Sequence, residues 1–540
     1  MQLINKKITW VILGVAFLFG SCEDFFNPDL GNVLNKEDYF KDWEEFRSAE
    51  MGLYALQQQL VEQIVVLGEL RGDLLEITEN ADRDLTEIYN FNVSSNNKYA
   101  SPVNFYKLIG ACNNLKTTIE KKYPGVMDPE SDITRMDRLY GEVLCMRAWA
   151  YFNAVRIYGK VPYIWSELDD IEEIEEYVNT PRTVIDTSFV IYAPDGYNNT
   201  VVDTTIVLDR TFLDLRAVID TFTYDLENNV KVVGVIHNQD FNDQTWDVTI
   251  WNKHARNALL GHMFLYQQNY DKALQYFNPI MFNYESETNN IKFGLDNKFA
   301  FGRWRNIMTQ IDPYEHIYTL WFDKSSQQTN GLQALFSPEF PNKYQLKPTA
   351  KVIRYWESTW NGMQVNTNNN NPEETKLREN LDGTPRRGTP GDFYRGYGVS
   401  YAYFKNGSML FENDVREMLE NKAEGDYNLV ENLMEDIDTV VYKYSIGKNP
   451  NDLDANFIIY RAAAIHMYYA DIFVRRIYLD NNGLPARNIN RSLIVVNDGS
   501  YNEDSKQMGI RGRVGFGDGD EALYIGNVIY FHDPDNNEVI

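Results

Sequence analysis

Cysteine is scarce in this chain, with three in 540 residues. That excludes a disulfide-stapled scaffold. Histidine is nearly as rare, at six, and no HExxH or Cys-x-x-Cys spacing is present, so the usual zinc signatures are missing. Positive charge is short: 51 Lys and Arg face 78 Asp and Glu, a net charge of −27. Such a field argues against nucleic acid, whose binding rests on neutralising phosphates, and against broad contact with anionic lipid. No apolar run approaches the ~18 residues that suggest a membrane-spanning helix. There is no Gly-x-Ser-x-Gly elbow and no phosphate-binding loop ending in Gly-Lys-Ser/Thr. Aromatics are in good supply at 14% of the chain, with 36 Tyr and 10 Trp, and apolar residues reach 44%. That is enough for a sizeable core and excludes a wholly disordered polymer.

The N-terminus carries processing chemistry. Lys6 and Lys7 precede an apolar run from Ile8 to Phe19, then Gly20, Ser21 and Cys22. This is the layout of a secretory signal peptide, which is removed and takes no part in the fold. Phe19-Gly20-Ser21-Cys22 resembles a bacterial lipobox, with Phe19 in place of the usual Leu. Acyl chains on Cys22 would hold the mature protein at a membrane without a spanning helix. Glu23 and Asp24, directly after it, resemble the surface-export signal of Bacteroidetes lipoproteins. Cys112 and Cys145 sit inside apolar helical patterns, either as free buried thiols or as a single bridge.

Periodicity predicts a mainly α protein. Over Asn35–Leu60, Phe46, Ala49, Leu53 and Leu56 recur at helical spacing, with Asn35 and Asp38 as the N-cap pair. Phe105–Ile119 and Arg138–Tyr158 repeat the signature, the latter apolar round so much of its circumference that it belongs between other helices. Gly159 caps it and Pro162 prevents continuation. Helices are also expected over Phe212–Leu226, Trp251–Met281 and Phe457–Tyr478, the last with Ala463, Met467, Ala470, Val474 and Ile477 in phase. β-branched residues around Pro194-Asp195-Gly196 predict a hairpin between Val184 and Val207. Leu260-Gly261, Phe264, Ala273 and Phe277 fall at the offsets of a tetratricopeptide-type hairpin, with Gly261 and Ala273 at the crossing.

Residues 283–455 differ, being rich in Asn, Gly, Pro and aromatics, with Asn366–Asn371 expected as a loop. The architecture expected is therefore a tetratricopeptide-like helical hairpin scaffold with long irregular loop insertions and a small β-hairpin. The segments are 1–21 as signal peptide, 22–230 as an N-terminal helical region, and 231–540 as a C-terminal region. That last region holds the hairpin at 251–281 and the insertion 283–455. Both long regions read equally well as one continuous domain.

Several segments together resemble the SusD/RagB family of outer-membrane nutrient-uptake lipoproteins of Bacteroidetes. They begin with Ser21-Cys22-Glu23-Asp24-Phe25-Phe26 and Leu67-Gly68-Glu69-Leu70-Arg71-Gly72-Asp73. The clearest runs from Gly141 through Arg147-Ala148-Trp149-Ala150-Tyr151-Phe152 to Tyr158-Gly159 and Val161-Pro162. Tyr224-Asp225-Leu226, Lys253–Phe277, Glu315-His316-Ile317-Tyr318, Thr329-Asn330, Tyr442-Lys443-Tyr444 and Tyr460-Arg461-Ala462 follow in the family's order. The family's closing Glu-Gly-Arg motif is missing after Gly509–Arg513, which fits either a shortened member or a truncated sequence. The resemblance implies a cell-surface protein anchored through Cys22, a lid over a SusC-like TonB-dependent transporter. It would bind oligosaccharide or a similar nutrient without catalysis; the residues themselves show no cofactor or metal signature.

A sugar surface needs flat aromatic faces beside side chains that bond hydroxyls. Trp304, Trp321, Trp356 and Trp360, with Arg303, Arg305, Arg354 and Asn361, have that composition and are the candidate ligand residues. Packing explains the same tryptophans equally well, since Trp356 and Trp360 would share one helix face. Arg71-Gly72-Asp73 reads as a structural turn, and Asp533, Asp535 and Asn537 as an acidic loop without the full calcium pattern. Two rival readings remain: a tetratricopeptide-like adaptor for a protein partner, and a secreted glycoside hydrolase, whose carboxylate pair is defined by geometry rather than sequence.

Overall fold

The computed structural model describes residues 39–122, 135–168, 170–179, 189–192, 199–202, 212–234, 244–281, 293, 307–311, 315–351, 438–449, 452–479 and several two- to four-residue strands among 360–410, 485–487 and 523–524. Twelve α-helices lie among these residues. The first, α1 (Trp43–Gln58), begins where Asp42 accepts from the Glu45 amide at 3.1 Å, with Glu44 and Glu45 in the positive first turn. The cap of this helix is Asp42, and Phe40 just before it takes a left-handed φ of 68°; Asn35 and Asp38 lie outside the described residues. Then come α2 (Val61–Glu69), β1 (Leu75–Ile77) and α3 (Arg83–Tyr89), capped by Asp82. The long pair α4 (Val103–Lys122) and α5 (Arg135–Tyr158) follows. Gly159, at φ 80°, ends α5 by donating to Val155 O at 2.8 Å.

After α5 the chain forms β2 (Lys160–Pro162), α6 (Ile171–Asn179) and the hairpin β3 (Phe189–Tyr192) with β4 (Asn199–Val202). The strand β5 (Phe212–Asp214) pairs with β2 and leads into α7 (Leu215–Asn228). The helix therefore starts at Leu215 rather than Phe212, because Asp214 caps the Ala217 amide at 2.9 Å and Phe212–Asp214 completes a ladder. Next come α8 (Lys253–Tyr266) and α9 (Tyr270–Met281). Asn252 caps α8 through the amides of His254 and Ala255. The two helices cross as their spacing predicts. A Cβ on Gly261 would collide with the Phe277 ring, and Ala273 and Phe277 are fully buried at that contact.

The remainder of the core comes from β6 (His316–Leu320), α10 (Leu332–Phe336), β7 (Leu346–Pro348), α11 (Tyr442–Ser445), β15 (Phe457–Arg461) and α12 (Ala462–Arg475), the strand number counting the short strands between. Phe457–Arg461 is expected from its spacing to be helical. It is instead a strand, because its aromatic and β-branched residues find β6 as an antiparallel partner. The buried side of α12 also differs from the expected stripe. Ile465, His466, Tyr469, Ala470 and Ile472 face inward, while Met467 and Val474 are exposed.

One contiguous cluster runs from Phe46 through the α4–α5–α7 layer to Ile472. It takes in Ile317, Phe322, Leu332 and Phe336, so residues 315–349 of the aromatic-rich stretch are part of the scaffold rather than loop. Fully burying each such side chain stabilises the fold by about 1.5–3 kcal/mol. Cys112 and Cys145 are free and wholly buried in this cluster. Burial pushes the Cys112 thiol up to about 12. Among the described residues no helix is long and apolar enough to cross a membrane.

Candidate functional site

Of the residues proposed from sequence, Cys22, Arg303, Trp304, Arg305, Arg354 and Trp356 lie outside the described residues, as does the Asp533–Asn537 loop. Trp360 and Asn361 form a two-residue strand whose backbone pairs with Thr389 and Pro390. Trp321 is described in full. It is half-buried just after β6, its carbonyl accepts from Gln58 Nε2 at 2.5 Å, and Lys448 Nζ lies 3.2 Å from the ring centroid. Lys448 also donates to the Phe322 carbonyl. One face of this tryptophan is therefore covered by a cation.

An exposed aromatic edge stands where no sequence signal marks one. Phe91, just past α3, is 67% exposed and holds a left-handed φ of 55°. A bulky residue keeps such a backbone only where its surroundings hold it. The Arg71 guanidinium sits 5.9 Å from its ring centroid. Arg71-Gly72-Asp73 is a turn closed by Gly72 N on Glu69 O at 3.2 Å, as its reading as structure implies. Asp73 forms an ion pair with Lys351, which holds its carboxyl below the usual carboxylate range, and its carbonyl accepts from Thr349 Oγ1 at 2.6 Å. Lys351 is the last described residue before Arg354 and Trp356 in the chain. Residues 349–351 therefore lie against the Arg71–Asp73 turn. A lone Phe before Asn92 carries no periodic signal, so only the strained backbone exposes it.

A second surface is a groove of about 570 Å³ on the helical layer. Helix α5 packs against both α4 and α7 and forms the floor. The walls follow helical spacing. From α4 come Lys116 and Glu120, and from α7 come Thr221, Tyr224, Asp225 and Asn228, while α5 contributes Tyr140 and Arg147. Tyr163 and Trp165, in the loop after β2, close one end. A trio of buried polar side chains holds that loop. Asn113 Nδ2 donates to the carbonyls of Ile164 at 3.0 Å and Ser166 at 3.1 Å. Asn113 Oδ1 accepts from Arg147 Nε at 2.7 Å, and Tyr151 OH bonds both the amide and the carbonyl of Ile164. Arg147 is 3% exposed, lies over the Phe222 ring at 5.1 Å and reaches Asp225 at 3.5 Å. The sequence marks Arg147 as part of a hallmark helix, yet says nothing of the loop it pins.

The titratable groups of the interior face protein. His262 is stacked on Tyr468 with centroids 4.9 Å apart, and burial pushes it down to about 3. His316 is fully buried and pushed down to about 4 by the same cause. Glu50 and Glu142, both sealed in the core, share Arg47, and Tyr54 OH donates to Glu142 at 2.6 Å. Among the described residues no group of three or more His, Cys, Asp or Glu is placed to hold a metal ion.

The chain is similar to two curated SusD-like proteins of Formosa agariphila. One is 25% identical over 292 residues, covering 53% of this chain and 55% of the relative. The other is 25% identical over 185 residues, covering 33% and 35%. The chain therefore matches about half the length, or less, of these relatives. Its fold is similar to a SusD superfamily protein of Bacteroides vulgatus, with TM-score 0.51, 14% identity and coverage of 81% and 76% of the two chains. A SusD homologue of Bacteroides thetaiotaomicron gives TM-score 0.50 at 12% identity, covering 81% and 74%. No protein-family model matches. The sequence relatives are thus SusD-like proteins, and the mainly helical scaffold is similar in fold to those SusD superfamily structures.

Proposed function

We propose that this SusD-like chain is a cell-surface lipoprotein that captures an oligosaccharide or related nutrient and delivers it to a partner TonB-dependent, SusC-like transporter in the outer membrane. The observation that carries this reading is the exposed Phe91–Arg71 edge, tied by the Asp73–Lys351 ion pair to the start of the aromatic insertion. Aromatic faces on a rigid scaffold, flanked by guanidinium and amide groups, suit pyranose rings and their hydroxyls. Trp304, Trp356 and Trp360, with Arg303, Arg305, Arg354 and Asn361, are proposed to complete the surface. Trp321 would add only the face that Lys448 leaves uncovered. Lipid on Cys22 is the proposed anchor.

The ligand is proposed to be bound and passed on intact. For the transporter, α6 supplies a fitting surface. Ile171, Ile174 and Val178 are 73%, 44% and 55% exposed along one helix face, with four glutamates on the rest.

Two measurements on full-length protein in detergent test the proposal. Titration against a panel of cello-, malto-, xylo- and laminari-oligosaccharides should show binding that weakens in Trp304→Ala, Trp356→Ala and Trp360→Ala. Purification from native outer membranes should recover a β-barrel transporter. Barrel recovery without any sugar affinity would instead favour the adaptor reading, and loss of neither affinity in the three variants would remove the insertion as the site.

A further inference from the structure

We infer that the groove floored by α5 is a second saccharide-binding site, taking a neutral sugar chain. It shares no residue with the Phe91 edge or the insertion. At about 570 Å³ it lies within the range of small-molecule sites, roughly 300–1,000 Å³. Two of its aromatics are left to solvent in a way a packed helical layer does not require: Tyr224 is 66% exposed and Trp165 42%.

Trp165 is held ready. Its backbone neighbours Ile164 and Ser166 are bonded by Asn113, and its ring rests on Tyr177 with centroids 5.1 Å apart. A platform fixed before the ligand arrives loses little side-chain entropy on binding. Tyr224 stands on α7 one turn from Thr221 and Asn228, which supply hydroxyl and amide groups along the same face. Asn228 Nδ2 donates to the Tyr224 carbonyl at 2.8 Å, which fixes that amide beside the tyrosine.

Charge selects the class of sugar. The groove's cations each face a carboxylate: Lys116 meets Glu120 at 2.8 Å, Arg147 meets Asp225 at 3.5 Å, and Lys231 meets Asp137 at 3.1 Å. Their charges are matched within the wall, so an anionic sugar would find no surplus positive field, whereas a neutral one finds donors and acceptors already aligned.

The inference rests on the proposed saccharide capture for the source of its ligand, and the variants separate the two. With full-length protein and the same oligosaccharide panel, Trp165→Ala and Tyr224→Ala should each weaken binding about tenfold, the effect of ~1.4 kcal/mol of lost contact. Phe340→Ala, at an exposed position elsewhere, should stay near the wild type. Sugar binding should also slow amide exchange over residues 163–167 and 221–229. Unchanged affinity in both folded alanine variants, or an effect confined to Trp304→Ala and Trp356→Ala, overturns the groove and leaves the insertion standing. An effect confined to the groove variants does the reverse. A panel with no binder for the wild type overturns both.

Discussion

Asn113 makes the sharpest test of how the scaffold presents its surface. It is fully buried on α4, and its amide bonds three groups at once: the carbonyls of Ile164 and Ser166 and the Arg147 guanidinium. Asn113→Ala removes all three. The Ile164 carbonyl keeps Tyr151 OH at 3.1 Å, so two groups, the Ser166 carbonyl and Arg147 Nε, lose the partner they have here. Each buried group left unsatisfied costs about 1–3 kcal/mol. Ser166 lies near the groove, where water can enter, so the lower half of the sum applies, about 2–4 kcal/mol. Urea unfolding followed by circular dichroism gives this as a shift in midpoint at constant slope. Asn113→Asp separates the parts: it keeps the acceptor for Arg147 and loses the donor to the loop. Its second carboxylate oxygen would face the Ile164 and Ser166 carbonyls, so it should free Trp165 at least as much as the alanine does. A cost under ~0.5 kcal/mol for Asn113→Ala, the range of ordinary surface substitutions, would refute the claim that this amide fixes the loop.

Other tests reach different parts of the molecule. Gly261→Ala drives a methyl into the Phe277 ring, and overpacking of about 1–3 kcal/mol should outweigh the ~1 kcal/mol that alanine adds to helix propensity. A variant as stable as the wild type in thermal unfolding would show that the α8–α9 crossing has slack. Burial and the neighbouring Glu142 charge hold Glu50 well above its ordinary value of 4.5. The folded chain then keeps a proton that the unfolded chain releases, so this group's contribution is complete below that value and falls as pH rises above it. Glu50→Gln should flatten the decline in stability as pH rises above 4.5, and an unchanged slope would place the proton elsewhere. Cys112 and Cys145 should resist alkylation in native protein and react on unfolding; rapid native labelling would contradict their burial.

Local signals reached the helices because their information is local. The stripe on Arg138–Tyr158 and the small residues at Gly261 and Ala273 state their own partners, and α5, α8 and α9 are where the spacing puts them. The misread elements are those whose partner lies far along the chain. Phe457–Arg461 is a strand only because β6, well over a hundred residues earlier, offers it a ladder, and Phe212–Asp214 is one because β2 does. The groove was illegible for a related reason. Thr221, Tyr224, Asp225 and Asn228 look like the solvent face of an ordinary amphipathic helix, and only the placement of α4 and α5 beside them makes a concave surface. Tryptophan count points to the insertion, yet the described Trp321 is half-covered by Lys448, and the exposed aromatics among the described residues include Phe91, Trp165 and Tyr224.

Capture without turnover is the claim on which the rest depends, and it has a direct measurement. Full-length protein is equilibrated with each oligosaccharide of the panel, free and bound ligand are separated, and the recovered sugar is sized by mass spectrometry. The account predicts saturable binding of at least one member, recovered at its original length after prolonged incubation. Shortened product, or no saturable binding by any member, would contradict it.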